Sequence, residues 1–138
     1  MKILFVCKYN RFRSKIAEAY FKKINKNVKI ASAGLIKGFL PLDKDQVKTA
    51  RRFNINIIGK PKTLSMDLLK KQDKIIIIAD DIPRSIFNYK WYRDKIVIWK
   101  IRDVDRGSDI KGNVFIIKSI IKKVDNLLVK LEKEKWKS

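Results

Sequence analysis

Residues 2–18, KILFVCKYNRFRSKIAE, decide the fold of this 138-residue chain. Residues 3–7 form a short apolar run that predicts a buried strand ending at the only cysteine. A helix with one apolar face is predicted to begin near Ser14. Ligands of parallel sheets bind at the carboxyl ends of the strands, and the free amides at a helix N-terminus bind anions. The stretch therefore predicts an anion site between this strand and this helix.

Cys7 and Arg13 would give this site its chemistry. The five residues between them are enough to curl their backbone amides around a tetrahedral oxyanion, and the planar guanidinium of Arg13 matches two phosphate oxygens. The same positive field favours the thiolate form of Cys7, which would lie beneath the phosphorus as the nucleophile. The predicted phosphate-binding residues are Lys8, Tyr9, Asn10, Arg11, Phe12 and Arg13.

Apolar runs alternate with helical patterns along the rest of the chain. Strands are predicted at 3–6, 28–31, 75–79 and 96–99, and their lack of strict polar alternation is typical of strands covered on both faces. Helices are predicted at 14–24, 43–53, 65–71, 80–89 (with Pro83 in its first turn) and 114–131. The prediction is an α/β protein. It would form a single three-layer domain over residues 1–138, with a four-stranded parallel sheet, helices on both faces and a basic C-terminal tail from about 133.

Three blocks of the sequence resemble the low-molecular-weight protein tyrosine phosphatase family. The first is the C-x5-R-S loop at 7–14, followed by Ala17 and Glu18. The second is Ser32-Ala33-Gly34 with Gly38 and then Pro41-Leu42-Asp43, similar to the family's S-A-G…G…P-x-D segment. The third, WKIRD at 99–103, resembles the W-x-I-P-D-P loop that supplies the general acid. The blocks follow the family's order over nearly the whole chain and imply a sheet with strand order 2-1-3-4.

The resemblance implies a cysteine-dependent phosphomonoester hydrolase, and first of all a protein tyrosine phosphatase. Cys7 would attack the phosphorus, Arg13 would hold the oxygens and Asp103 would protonate the leaving group, so that a phosphocysteine intermediate remains for water to hydrolyse. The substrate would be a phosphotyrosine protein or a small phosphomonoester, and phosphate and vanadate-type anions would bind the same loop. No metal or cofactor is expected. Asn10 would brace the loop by bonding Ser14 or Ser32, because Asn tolerates left-handed backbone.

Several neighbours of these motifs depart from the family's pattern. Tyr9 stands where the family usually has Gly, so either its side chain points outward or the loop backbone differs. Phe12 replaces the second cysteine of eukaryotic members. Lys15 and Val104 replace prolines, which predicts less rigid loops. The histidine that braces the phosphate loop in the family is missing from this chain, and its place falls near Lys60.

The composition narrows the chemistry further. With no histidine and one cysteine, the chain excludes Ser-His and Cys-His dyads and intramolecular disulfides, and a zinc site would need an improbable set of ligands. The apolar run in MKILFVC is too short for export or a membrane span, and no other run approaches about twenty residues. We expect a cytoplasmic location, because a working thiol must stay reduced.

The net charge of +20 leaves other functions open. Lysine-rich faces are usually solvated, but they also favour anionic partners, so a phosphate- or polyanion-binding protein of the same fold without turnover is the alternative. Nucleic acid is suggested by the net charge alone, since no nucleic-acid-binding motif is visible. An arsenate reductase is less favoured because it needs further cysteines.

Two assignments within the predicted site also have alternatives. Asp105 and Asp109 lie on the same loop as Asp103, and aspartates are common in turns and helix caps. The alternative for Asp103 is therefore a role in the loop structure rather than that of general acid. Aromatic side chains that could stack on a phenyl ring are more often core residues. The candidates are Tyr9, Phe39, Trp91, Tyr92 and Trp99, of which Tyr9 and Phe39 are expected beside the mouth of the site.

Overall fold

The computed structural model describes residues 1–90 and 92–137, and the side chains of residues 1–90 and 92–134. Trp91, one of the predicted pocket walls, therefore lies outside the described residues. The strands are β1 (Lys2–Cys7), β2 (Lys29–Gly34), β3 (Lys74–Ile78) and β4 (Ile96–Trp99). The helices are α1 (Arg13–Ile24), α2 (Lys44–Arg51), α3 (Met66–Lys70) and α4 (Ile110–Lys137). Short 3₁₀ turns at Arg84–Phe87 and Arg93–Lys95 lie between β3 and β4.

The described strands form one parallel sheet in the order β2-β1-β3-β4. This confirms the predicted four-stranded parallel sheet and its strand order. β1 pairs with both β2 and β3, and Cys7 is in register with Gly34 of β2. The cysteine therefore lies at the carboxyl end of a central strand, where parallel sheets bind their ligands.

Alternate side chains of β1 enter two separate cores, one on each face of the sheet. Ile3 and Phe5 pack with apolar residues of α1, α2 and α4. Leu4 and Val6 pack on the other face with Leu69 of α3 and with Phe87 of the first 3₁₀ turn. All four β1 side chains are fully buried. Both faces of the sheet are covered, as the predicted three-layer α/β fold requires.

Helix α4 covers one face with a stripe of apolar residues. Ile117, Ile120 and Val124 are fully buried, and the helix packs against α1 and α2. It begins at Ile110 and continues through Lys137. The basic residues from about 133, expected to lie beyond the helix, belong to it, because Lys and Glu are good helix formers and no Gly or Pro interrupts 113–137.

The helix predicted at 80–89 is wrong. Pro83 has extended backbone (φ −67°, ψ 135°), and only the 3₁₀ turn Arg84–Phe87 follows it. A residue before proline is disfavoured in the helical region, so a helix cannot readily start ahead of Pro83. The segment is held to the sheet instead by the buried side chains of Ile82 and Phe87.

Candidate active site

The loop predicted to bind an anion joins β1 to α1. Cys7 ends β1 and is 3% exposed, and α1 begins at Arg13. Phe12 occupies the N-cap position, where its side chain makes no capping hydrogen bond. Its ring is buried in the core instead. The N-terminus of α1 is thus left without a capping side chain beside the cysteine, which is the arrangement found where helices bind anions.

Asn10 braces this loop from the inside. Its φ of 57° is in the left-handed region, which Asn adopts more readily than most residues. The buried Nδ2 donates hydrogen bonds to Ser14 Oγ at 2.7 Å and to Ser32 Oγ at 2.9 Å. Its Oδ1 accepts a hydrogen bond from the backbone N of Lys62 at 2.9 Å. The structure therefore brings the three predicted support residues together, and Asn10 bonds both serines rather than one.

Ser14 links this network to the cysteine. Its Oγ lies 2.9 Å from Cys7 Sγ and accepts the hydrogen bond from Asn10. A hydroxyl that accepts from one partner still has its own hydrogen to donate to another. Ser14 can therefore donate to a Cys7 thiolate, so the charge on the sulfur would have a partner beneath the loop.

Tyr9 fits the loop without glycine-like backbone. Among the described residues other than glycine, only Asn10 and Asn54 have positive φ. The Tyr9 side chain is 39% exposed, so it points outward, the first of the two outcomes considered for it. The glycine that the loop requires is Gly34, because a Cβ there would lie 2.6 Å from Tyr9 C and 2.8 Å from Asn10 N.

Arg13 lies almost completely inside the protein, at 1% exposure. Its Nη1 donates a hydrogen bond to Ile101 O at 2.9 Å and lies 3.7 Å from Asp81 Oδ1. Its Nη2 lies 3.6 Å from Asp103 Oδ2. The buried Nε is without a hydrogen-bond partner among the described residues. Buried donors are rarely left unpaired, so Arg13 Nε is a donor that the described residues leave unsatisfied.

A cavity of about 220 Å³ lies over the loop. Cys7, Arg13 and Asp103 all line it, although Asp103 lies about 90 residues beyond the loop that carries the other two. Asp105 also lines the cavity, whereas Asp109 accepts a hydrogen bond from Gly112 N at 3.0 Å in the first turn of α4. The lining residues are Cys7, Tyr9, Arg11, Phe12, Arg13, Gln46, Asp103, Val104, Asp105 and Gly107.

Two of the predicted phosphate-binding residues do not line this cavity. Asn10 is fully buried in the bracing network, and Lys8 Nζ lies 3.9 Å from Asp81 Oδ2. Arg11 does line it, and its Nε donates to Pro41 O at 2.8 Å. That bond holds the arginine against the segment that follows β2.

Sequence reasoning missed Asp81 and Gln46. Asp81 follows β3 at the same edge of the sheet as Cys7, and it approaches both Arg13 and Lys8. Its place after a buried strand was a usable signal, since ligand sites gather at this edge. Gln46 lines the cavity from α2, and its Nε2 lies 3.3 Å from Asn113 Oδ1 as a donor. Nothing local in the sequence marked it.

Of the described aromatic candidates for stacking, one lines the cavity and the others do not. Tyr9 lines the cavity, whereas Phe39 is 91% exposed and is absent from its walls. Tyr92 and Trp99 are buried in the two cores. The structure therefore leaves Tyr9 as the stacking candidate beside the buried Phe12.

Among residues 1–90 and 92–137, the acidic and thiol side chains form no group of three or more that could hold a metal ion. Over the same residues, none of the helices is both long and apolar enough to span a membrane.

Residues 2–135 match the family model described as low molecular weight phosphotyrosine protein phosphatase. This chain belongs to that family. It is therefore a phosphatase of the low-molecular-weight protein tyrosine phosphatase type. A sequence comparison with curated proteins gives no significant match.

Several solved structures share this fold. The YwlE arginine phosphatase of Bacillus subtilis is 23% identical, with a TM-score of 0.85 over 96% of this chain and 97% of that one. The T. tengcongensis low-molecular-weight protein tyrosine phosphatase is 25% identical, with a TM-score of 0.80 over 94% and 99%. Vibrio vulnificus Wzb in complex with benzylphosphonate is 20% identical, with a TM-score of 0.82 over 94% and 97%.

Proposed function

We propose that this phosphatase hydrolyses phosphotyrosine monoesters through a phosphocysteine intermediate on Cys7. The observation that carries the proposal is the buried guanidinium of Arg13, which lines the same cavity as Cys7 and Asp103 and whose Nε has no hydrogen-bond partner among the described residues. A buried unsatisfied donor costs about 1–3 kcal/mol. A phosphate oxygen in the cavity would remove that cost and would lie over the sulfur.

In the first step, the Cys7 thiolate attacks the phosphorus in line with the leaving oxygen. The equatorial oxygens stay negatively charged through the transition state, and Arg13 and the loop amides offset that charge. An S–P bond forms while the P–O bond breaks. Asp103 gives its proton to the departing phenolate oxygen.

In the second step, the ionised Asp103 takes a proton from water as the water oxygen attacks phosphorus. The S–P bond breaks, phosphate leaves and the Cys7 thiolate is restored. In the YwlE arginine phosphatase, a mutant with serine in place of cysteine carries a phosphorylated active-site serine. That observation on a protein of the same fold supports a covalent intermediate here.

An aryl leaving group is favoured by Tyr9, which is the exposed aromatic side chain of the cavity wall. Offset or edge-to-face contact between aromatic rings contributes about 0.5–1.5 kcal/mol beyond the area buried. The benzylphosphonate complex of Wzb supports an aromatic ligand in this fold. The proposed substrates are therefore phosphotyrosine proteins or small aryl phosphates.

The test is hydrolysis of para-nitrophenyl phosphate between about pH 4 and 8 with chelator and reductant, because the proposed chemistry needs no metal. Cys7→Ser should abolish turnover, and vanadate should inhibit the wild type. Asp103→Asn should lower kcat by about 10²-fold or more, with a larger loss on phenyl phosphate, which has the poorer leaving group. Asp105→Asn is the matched control, since it removes a carboxylate from the same cavity and should change kcat less than about threefold.

The substrate class is tested separately with two peptides of one sequence, carrying phosphotyrosine or phosphoarginine. We expect the phosphotyrosine peptide to have the higher kcat/KM, and the reverse order would contradict the tyrosine assignment while leaving the mechanism intact. A folded wild type without turnover on any of these esters would contradict the proposal itself. It would favour the phosphate- or polyanion-binding alternative suggested by the net charge.

A further inference from the structure

A second cavity, of about 560 Å³, lies between α1 and residues 54–62. It shares none of its lining residues with the cavity over Cys7. Its volume falls within the range of small-molecule sites. We call it the lysine groove, after the lysines that line it: Lys15, Lys22, Lys23, Lys26, Lys60 and Lys62.

The charge of the lysine groove is almost entirely positive. Glu18 is the acidic residue in its wall, and its Oε2 is already paired with Lys22 at 2.8 Å. Lys26 and Lys60 are exposed and have no carboxylate within 4.0 Å in the described part of the chain. Like charges held this close favour the arrival of an anion.

Lys15 adds a buried cation to the groove. It is 6% exposed, and its Nζ donates to Ile58 O at 2.9 Å and to Lys60 O at 3.3 Å. An ammonium has three hydrogens, so one donor remains beyond these two carbonyls. Burial lowers the pKa of Lys15, and an anion nearby would offset that loss of hydration. A Cβ at Gly59 would lie 3.5 Å from this Nζ, so the glycine leaves space beside it.

Asn54, Asn56 and several apolar residues complete the lining of the groove. Ala19, Ile55 and Ile57 line it, and the two isoleucines are buried in the core. Ile58 lines it too and is 69% exposed, so its side chain presents apolar surface to a ligand. A ligand that carried charge alone would leave the exposed side chain of Ile58 in contact with water.

We propose that the lysine groove binds a small organic anion with an apolar body and a carboxylate, sulfonate or phosphate head. The head would lie against the lysines and the body would cover Ile58 and the apolar floor. A second copy of this chain would be repelled, since each copy carries a net charge of +20. The groove shares no lining residue with the substrate cavity, so the proposal does not rest on the proposed reaction.

The probe is 8-anilinonaphthalene-1-sulfonate, which combines an apolar body with one anionic head and fluoresces when bound. The full chain is saturated with vanadate first, so that the loop over Cys7 is occupied. Fluorescence titration should give saturable binding, and Lys26→Gln/Lys60→Gln should weaken it about tenfold. Lys48→Gln/Lys118→Gln removes the same charge from exposed lysines outside the groove and should change the Kd less than about twofold.

The apolar half of the proposal has its own variant. Ile58→Ser should weaken binding of the probe about fivefold, because it removes exposed apolar surface from the groove. Absence of saturable binding to the vanadate-loaded wild type would overturn the proposal, as would equal weakening by the two lysine pairs. An unchanged Kd for Ile58→Ser would also overturn it, because the site would then recognise charge alone.

Discussion

Gly34→Ala tests whether the backbone of β2 sets the position of the phosphate loop. A Cβ at this position would lie 2.6 Å from Tyr9 C and 2.8 Å from Asn10 N, both backbone atoms of the loop. Gly34 itself has little room to move away, because its N donates to Lys62 O at 2.7 Å and its O accepts from Leu64 N at 2.8 Å. The loop must therefore move instead.

The size of the movement follows from the contact distances. Ordinary van der Waals contact begins at 3.4 Å, so the loop backbone must shift by about 0.8 Å. Asn10 would then lose good geometry to Ser14 and Ser32, and the loop amides would no longer surround the phosphoryl group correctly. Misplacement of about 1 Å lowers rates about 10²-fold, equivalent to about 2.7 kcal/mol in the activation free energy. Overpacking should also lower the free energy of unfolding by about 1–3 kcal/mol.

The assay is kcat/KM for para-nitrophenyl phosphate at a temperature where thermal unfolding shows both variants folded. Gly38→Ala is the matched control, because its Cβ would lie at an ordinary 3.5 Å from Tyr9 Cδ1. We expect Gly38→Ala within about threefold of the wild type and Gly34→Ala about 10²-fold lower. A folded Gly34→Ala protein with wild-type kcat/KM would refute the reasoning, since the loop would then be able to move without effect.

Three further predictions concern stability. Asn10→Ala should lower the free energy of unfolding by about 1 kcal/mol more than Asn10→Gly, because alanine resists positive φ; equal values in urea denaturation would contradict this. Burial, with help from the hydrogen bond to Asp125, raises the pKa of Tyr20 to about 12. The neutral Tyr20 side chain therefore contributes its full stabilisation below pH 10, and this contribution is lost as the pH rises to about 12. Asp125→Ala should lower the Tyr20 pKa in a ring-carbon NMR titration, and an unchanged value would count against the assignment. Gly107→Ala should displace the Asp43 carboxylate that caps α2 and lower the free energy of unfolding by about 1 kcal/mol. If Asp43→Ala lowered the free energy of unfolding of this variant by as much as that of the wild type, displacement of the cap would be excluded as the cause.

The predictable part of the site lies in one short stretch of sequence. A strand, a loop and a helix start follow one another between residues 2 and 24, so Cys7 and Arg13 are brought together by local geometry. The predicted strands are apolar without alternating polar residues, which indicates a sheet covered on both faces. The structure confirms this with one hydrophobic core on each face. Asp103 was assigned by resemblance to a family motif rather than by physical reasoning from its neighbours.

Asp81 and Gln46 could not be predicted, because the segments that carry them reach the site only when the whole chain is folded. Asp81 and Gln46 are 68 and 33 residues beyond Arg13 in the chain, and neither is part of a local pattern. Asn10 accepts its hydrogen bond from the backbone N–H of Lys62, a group that every residue type except proline supplies. Side-chain identity could not have predicted that contact, even though the position lies close to the expected bracing site at Lys60.

The departures from the family pattern are compensated by contacts of this chain. Lys15 replaces a proline but is fixed by two backbone carbonyls, and Val104 replaces another but packs against the core. The acid loop is also tied to the phosphate loop directly, because Arg13 donates to Ile101 O two residues before Asp103. Loss of the prolines therefore need not loosen either loop, since the hydrogen bonds and packing supply the restraint that proline would give. The substitutions of the two prolines therefore change how the loops are held, while Arg13 Nη2 stays within 3.6 Å of Asp103 Oδ2.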